Sequence, residues 1–240
     1  MAKRIQSPTS INTYLRCPRK YYLRYIKGYK TKPNIYLVRG SVVHKTIAKM
    51  NRMTFEPGTH EKAKNILIRT LKSAWQQQAA VIKTLNLPSK IVDDFYRESE
   101  AMLLFWLKRQ AQSKIKNYKC EVRLYSKTFG VMGIIDAVCS LNQRIVLIDY
   151  KTCASDEMSR DIKVQLAIYA LLYWENCKTL PDIVGIDFLK NNKLRLFNVN
   201  AKLIDFAKEM CRQIHSQTQS TNINDYPCRC GGKCEKDFDL

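Results

Sequence analysis

The residues with the clearest chemical potential are two aspartates and a lysine in neighbouring apolar segments. Asp136 lies in segment 133–141, and Asp149 and Lys151 lie in segment 144–152; both segments have the composition of β-strands. If the two residues between the segments form a hairpin turn, Asp136 directly opposes Asp149, with Cβ atoms about 4.5–5.5 Å apart, and Lys151 shares their face. Because two carboxylates at this distance repel each other, the pattern predicts a divalent cation held by oxygen ligands.

The same three side chains suit phosphodiester hydrolysis. A bound metal would polarise the phosphate and activate water, and the lysine would stabilise the developing negative charge. The alternative is purely structural, a buried Asp–Lys pair with the other aspartate at the surface. Five apolar residues are expected to fill the opposite face of the hairpin: Ile135, Ala137, Cys139, Val146 and Ile148.

Three of the nine cysteines lie close together near the end of the sequence, at Cys228, Cys230 and Cys234. The number of cysteines is odd and the first residues carry no apolar signal region, so a disulfide framework is not predicted. Soft thiolates select zinc or iron–sulfur clusters, and composition alone does not choose between them. Five cysteines are predicted to be small core residues: Cys120, Cys139, Cys153, Cys177 and Cys211.

Charge is distributed unevenly along this basic chain, whose formal net charge is +20. The first acidic residue is Glu56, and it follows thirteen lysines and arginines. Cations interleaved with aromatic rings bind phosphates and stack unpaired bases, so single-stranded DNA is the predicted partner. The alternative is a solvated basic face whose tyrosines pack inward. The tyrosines in question are Tyr14, Tyr21, Tyr22, Tyr25, Tyr29 and Tyr36.

Hydrophobic periodicity predicts a helical region followed by an α/β core. Helices are expected at 9–26, 37–53, 60–85, 89–116, 161–176 and 201–218, and strands at 118–125, 129–141, 144–152, 182–189 and 193–199. We therefore divide the chain into an N-terminal region (1–116), a core (117–220) and a Cys-rich tail (221–240). No apolar run approaches the ~18 residues that span a bilayer, which favours a cytoplasmic protein without membrane contact.

The order of these motifs resembles that of RecB-like nucleases in the PD-(D/E)XK superfamily. The matching strings are Gly40-Ser-Val-Val-His44, Asp136, Asp149-Tyr-Lys151 and Gln165-Leu-Ala-Ile-Tyr169. The segment SPTSINTYLRCPRKYYLRY is similar to the N-terminus of the iron–sulfur members, which include the small exonucleases of CRISPR adaptation and nuclease domains fused to repair helicases. The resemblance implies a restriction-endonuclease-like core, a mixed central sheet flanked by helices.

The resemblance also implies a role for each matched residue. His44, Asp136, Asp149 and the Tyr150 backbone carbonyl would ligate Mg²⁺ or Mn²⁺. Lys151 would be the catalytic lysine, and Gln165 and Tyr169 would position DNA or the metal site. Glu121 is a looser match to a supporting acid. A [4Fe–4S] cluster, with zinc as the alternative, would join the tail to the N-terminal helices through Cys17, Cys228, Cys230 and Cys234.

The function implied is that of a metal-dependent DNA nuclease, an exonuclease acting on single-stranded ends. A 5′-to-3′ direction and a place in CRISPR spacer acquisition or in DNA repair and recombination follow from the resemblance only. The sequence has no GxxxxGK[ST] loop for ATP, so strands would be opened by a partner such as a helicase, or presented by CRISPR integrase proteins. The alternative is a DNA-binding accessory subunit of a repair or replication complex. Such a subunit would be non-catalytic, or its chain ends would be joined by a zinc ion.

Overall fold

A five-stranded mixed sheet is the centre of the computed structural model, which describes residues 4–53 and 59–238. β1, β2 and β3 form an antiparallel meander, β4 is parallel to β3, and β5 is antiparallel to β4. The predicted mixed α/β sheet is confirmed. The strands, in spatial order, are β1 (Lys116–Ser126), β2 (Val131–Leu141), β3 (Arg144–Lys151), β4 (Ile183–Phe188) and β5 (Lys193–Asn198).

Helices cover both faces of this sheet, and several begin at a polar residue whose side chain accepts a backbone N–H. Ser7, Asn34, Ser159 and Asn200 act in this way at the starts of α1, α3, α7 and α8. The helices are α1 (Pro8–Arg16), α2 (Pro18–Tyr21), α3 (Ile35–Asn51), α4 (His60–Gln76), α5 (Ala79–Thr84), α6 (Ser89–Gln112), α7 (Arg160–Cys177) and α8 (Ala201–Gln217). None of the helices described is long and apolar enough to cross a membrane.

Two of the predicted helices are shorter than expected. The segment 60–85 is interrupted between α4 and α5, and the segment 89–116 ends at Gln112 because Lys116 already begins β1. A five-residue π-helix, Tyr22–Ile26, follows α2 and completes the predicted helical segment 9–26.

The β2–β3 hairpin has the predicted register. Asn142 and Gln143 both have positive φ angles, 49° and 66°, as a two-residue type I′ turn requires. Backbone pairing starts at Leu141↔Arg144 and ends at Ala137↔Ile148.

The predicted alternation of faces is wrong at Ile135. Ala137 packs with α3, α4 and α6 as expected, but Ile135 packs on the other side of the sheet with α7 and α8. The change of side occurs where β2 stops pairing with β3 and where Glu121, on β1, has a positive φ of 51°. A backbone outside the strand region interrupts the period of two.

Each face of the sheet carries its own apolar core. One core joins α1, α7 and α8 to the sheet, and its fully buried members include Ile11, Leu147, Leu171, Ala207 and Ile214. The other joins α3, α4 and α6 to the opposite face, and its members include Val42, Leu67, Leu103, Trp106 and Val146. The division of the chain at residues 116 and 220 stays a prediction.

The tail packs on the N-terminal helices. The Arg19 side chain donates to the Tyr226 carbonyl at 2.9 Å, and the Lys32 N–H donates to the Asp237 carbonyl at 2.9 Å. The Tyr226 ring lies in a cluster with Tyr14, Tyr21 and Tyr22, and all four rings are buried. The prediction that these three N-terminal tyrosines stack on bases is wrong, because their rings pack in this apolar cluster.

Candidate active site and cysteine cluster

Asp136 and Asp149 come together where β2 and β3 part. Beyond the last backbone pair of these strands, the Tyr150 N–H donates to Asp136 Oδ2 at 2.9 Å. The Asp136 carboxylate is therefore tied to the β3 backbone at the residue that separates Asp149 from Lys151.

His44 reaches the same carboxylate from α3. Its Nδ1 lies 3.1 Å from Asp136 Oδ1, and its ring meets Tyr150 edge to face. Burial favours the neutral imidazole, but the hydrogen bond to Asp136 and the charges of Asp136 and Asp149 outweigh burial, so the pKa of His44 is raised. An imidazole nitrogen thus meets a carboxylate oxygen, and both are ligand types that a divalent cation such as Mn²⁺ accepts.

Asp149 is almost completely buried, at 2% exposure, and is held by three side chains. Lys151 Nζ lies 2.8 Å from its Oδ2, Gln165 Nε2 donates to its Oδ1 at 2.7 Å, and the Tyr169 hydroxyl donates to the same oxygen at 3.4 Å. Burial raises the pKa of Asp149, the positive charge of Lys151 lowers it, and the negative charge of Asp136 raises it further, so that the pKa is raised on balance.

Gln165 connects the lysine to the carboxylate. Its Oε1 accepts from Lys151 Nζ at 2.8 Å, and its amide nitrogen also donates to the Tyr169 hydroxyl at 2.9 Å. Gln165 and Tyr169 are one helical turn apart on α7 and so act on the same site. Gly133 lets α7 lie this close, since a Cβ there would stand 2.9 Å from Leu172 and 3.1 Å from Tyr169.

An open cleft of about 600 Å³ gives access to these residues. His44 and Lys151 both line it, and so does Glu121 from β1. Glu121 forms an exposed ion pair with Arg52 at 2.6 Å. Its left-handed backbone is uncommon for a residue with a side chain, and such strain is often found at functional sites.

Arg39 is a residue of this site that the sequence analysis missed. It is 3% exposed, donates to Glu98 at 2.7 Å and to the Thr152 carbonyl at 2.7 Å, and thereby fixes the chain directly after Lys151. The only signal in the sequence is an arginine on a helix face that is otherwise apolar or small, which is equally typical of a surface residue.

The four predicted cluster cysteines do meet. Cys17, between α1 and α2, lies 3.6 Å from Cys230 Sγ to Sγ, and Cys228 lies 3.6 Å from both Cys230 and Cys234. All four sulfur atoms lie within 4.8 Å of one another. The sequence prediction that these thiols share one site is consistent with this geometry, and the identity of their metal stays open.

Backbone N–H groups surround the sulfurs. Gly232 N–H donates to Cys228 Sγ at 3.3 Å and Cys234 N–H donates to Cys230 Sγ at 3.1 Å. Gly231 and Gly232 both have positive φ angles, 60° and 77°, which glycine adopts without strain, and they fold the segment around its thiols. Hydrogen bonds from N–H groups lower the pKa of Cys228 to about 6, which favours the thiolate that binds metals.

The thiol spacing bears on which metal fits. Four thiolates around one tetrahedral ion with Zn–S bonds of about 2.3 Å stand about 3.8 Å apart, close to the separations given above. In a [4Fe–4S] cluster each thiolate binds a different iron, so the four sulfurs must lie farther apart than around one shared ion. The three 3.6 Å separations are close to those around a single ion, and the identity of the metal that the four thiols could hold stays open.

Solved structures support the fold. A candidate exonuclease from Eubacterium rectale covers 99% of this chain and 89% of its own, with a TM-score of 0.58 at 13% identity. A second structure, of SSO0001, covers 82% of this chain and 91% of its own at 16% identity, and its TM-score of 0.32 is too low to support an argument. None of the curated proteins matches this sequence.

The structural similarities support only the fold, whereas the comparison with protein families identifies the family. Residues 6–235 match the PD-(D/E)XK nuclease superfamily, so the match includes the β2–β3 hairpin, α3, α7 and the four cysteines. This chain therefore belongs to the PD-(D/E)XK nuclease superfamily.

Proposed function

We propose that this protein is a metal-dependent deoxyribonuclease that degrades single-stranded DNA from its ends. The observation that supports this most strongly is the convergence at one cleft of His44 on Asp136 and of Lys151 on Asp149. Placing two acids, an imidazole and an ammonium group this close together lowers the stability of the fold through desolvation and charge repulsion. Such clusters of titratable groups are typical of catalytic centres.

His44, Asp136, Asp149 and the Tyr150 carbonyl are the proposed ligands of Mg²⁺ or Mn²⁺. The ion would act as a Lewis acid on the phosphate. The Asp136 carboxylate is oriented by the Tyr150 N–H, and Asp149 is oriented by Gln165 and Tyr169, so these two α7 residues are proposed as positioning residues.

Lys151 is proposed to stabilise negative charge on the phosphate undergoing cleavage. Its ammonium group is partly exposed to the cleft, and Gln165 and Asp149 hold it in place. Burial alone would lower the pKa of Lys151, but the Asp149 charge outweighs burial and raises it, so the group is charged at neutral pH.

Charge and the lack of an ATP loop in this sequence support single-stranded DNA as the substrate. A helicase or a CRISPR integrase protein is the proposed type of partner. The 5′-to-3′ direction, and a role in CRISPR spacer acquisition or in DNA repair and recombination, rest on the resemblance to RecB-like iron–sulfur nucleases.

For the cysteine cluster we propose a single tetrahedral ion, zinc, in place of a [4Fe–4S] cluster. The short distances between the sulfurs support this choice. The ion would connect Cys17, next to the basic N-terminal helices, with the tail.

A cleavage assay tests the proposed function. With Mg²⁺ or Mn²⁺, we expect end-labelled single strands and overhangs to be shortened faster than blunt duplex, and EDTA to stop the reaction. Binding should weaken with salt, with a log–log slope of about −0.7 for each phosphate contacted, because counterions are released. A protein that binds DNA tightly yet cuts none of these substrates with either metal would instead be the non-catalytic accessory subunit.

A further inference from the structure

Two large apolar side chains are exposed at the rim of the candidate active site. Tyr36 is 63% exposed and Leu37 is 59% exposed, and both line the cleft that contains His44 and Lys151. Single exposed apolar residues are common on protein surfaces and need no explanation. An adjacent pair at the mouth of the cleft that His44 and Lys151 line is a different case, because the pair and these two side chains would meet the same ligand.

The Tyr36 ring is held in place although it is exposed. The Phe95 ring contacts it edge to face at 5.1 Å between centroids, and the Arg39 guanidinium lies 5.4 Å from its centroid. Arg39 is itself fixed by Glu98 and the Thr152 carbonyl. A ring that is already ordered loses little conformational entropy when a ligand stacks on it.

Helix α3 connects this ring to the metal-ligand histidine. The α3 residues that line the cleft recur at helical spacing and so form one stripe: Tyr36, Leu37, Gly40, Ser41, His44 and Lys45. Tyr36 and His44 are eight positions apart, which is about 12 Å along the helix axis. A strand whose phosphate lies near His44 and Lys151 can therefore pass Tyr36 with a neighbouring nucleotide.

We infer that Tyr36 and Leu37 form a stacking platform that selects an unpaired base beside the cleavage site, an inference that rests on the proposed nuclease function. A paired base buries both of its faces in the duplex, so only a single strand can offer a face to the Tyr36 ring. The platform thus gives the cleft its preference for single strands. Base stacking was predicted for the tyrosines of the basic N-terminal segment. Tyr36 is the member of that set that we propose makes this contact, whereas Tyr14, Tyr21 and Tyr22 are buried.

The test compares Tyr36→Ala and Leu37→Ala with Tyr36→Trp. Binding of a fluorescein-labelled oligo-dT strand, measured by anisotropy in EDTA, should weaken about tenfold in Tyr36→Ala, within the range for loss of one stacked base. The loss in Leu37→Ala should be smaller, because an aliphatic side chain offers no aromatic face. In Mn²⁺ the KM for single strands should rise by a similar factor with kcat little changed. Tyr36→Trp should bind like the wild type. Affinity for a blunt duplex should not change in any variant.

Tyr125→Ala is the matched control, because Tyr125 is 46% exposed on β1 and does not line the cleft. Its affinity and kinetics should equal those of the wild type. Wild-type affinity of Tyr36→Ala for single strands, or an equal loss on duplex, would overturn the platform while leaving the nuclease proposal intact. A wild-type protein that neither binds nor cuts single strands would overturn both.

Discussion

Replacing Asp136 by asparagine is expected to lower metal-dependent cleavage of single-stranded DNA by at least about 100-fold, the loss typical of removing one group that stabilises transition-state charge. Asparagine keeps the size of the side chain and can still accept the Tyr150 N–H, so the loss would come from charge at the proposed metal site. Affinity for DNA in EDTA should be unchanged or higher, because one negative charge is removed. Single-turnover cleavage rates in Mn²⁺ and anisotropy in EDTA measure the two effects.

The same substitution should not destabilise the protein at pH 8. Asp136 raises the pKa of buried Asp149, which means that the two carboxylates repel each other in the folded state. Neutralising Asp136 relieves this repulsion and leaves Asp149 with its partner Lys151, and the relief offsets the lost attraction of Asp136 for His44 and Lys151. A melting temperature equal to or above that of the wild type, together with lost cleavage, is the pattern expected of a functional residue whose charge costs stability.

Asp205→Asn is a suitable control, since Asp205 is an exposed acid on α8, away from the cleft. It should cleave like the wild type. If Asp136→Asn cleaved at the wild-type rate, the hairpin would not carry the catalytic metal, and Glu121 would become the next acid to replace.

The hairpin was accessible from the sequence because its geometry depends on local rules. Strand residues alternate faces with a period of two, and a two-residue turn fixes which residues are opposed. Asn142 and Gln143 adopt the positive φ angles of a type I′ turn although they are not its most favoured residues. The positions of Asp149 and Lys151 follow from the alternation along β3, whereas Asp136 lies one residue beyond the last backbone pair, next to the change of side at Ile135.

Contacts between segments that are distant in the sequence could not be predicted from such local rules. Arg39 depends on Glu98 and Thr152, which lie on another helix and at the end of β3, and no local pattern signals such a meeting. The change of side at Ile135 has the same origin, because it accompanies the unusual backbone of Glu121 on the neighbouring strand.

Composition alone does not predict which of the N-terminal tyrosines are exposed. Interleaved cations and rings predicted base stacking, but the pattern does not say which rings face solvent. Tyr14 and Tyr21 are buried by Tyr226, a residue of the tail more than 200 positions away, whereas Tyr36 is exposed at the cleft. Only the folded chain distinguishes the two kinds of tyrosine.

Replacing Cys17 by serine is expected to release the metal from the cysteine cluster and to loosen both ends of the chain together. Structural zinc sites of this kind contribute about 10–16 kcal/mol of binding free energy in small zinc-binding peptides, and that energy is available only to the folded state. If about 4 kcal/mol of it is lost, the melting temperature of a protein of this size should fall by about 8–16 °C. Metal content and thermal unfolding of the wild type and the variant measure the two effects.

The prediction that Cys153 and Cys177 are core residues is wrong, because both are exposed. Cys153→Ser is therefore the control for Cys17→Ser, since Cys153 is exposed and outside the cluster. It should retain its metal and its melting temperature. Protein purified without oxygen should contain one zinc ion per chain. It should be colourless, because the d shell of Zn²⁺ is full and the ion absorbs no visible light. About four irons per chain and a brown colour would contradict the single-ion proposal. That result would mean that the four thiols move apart when the cluster binds, and that the tail and the N-terminal helices move with them.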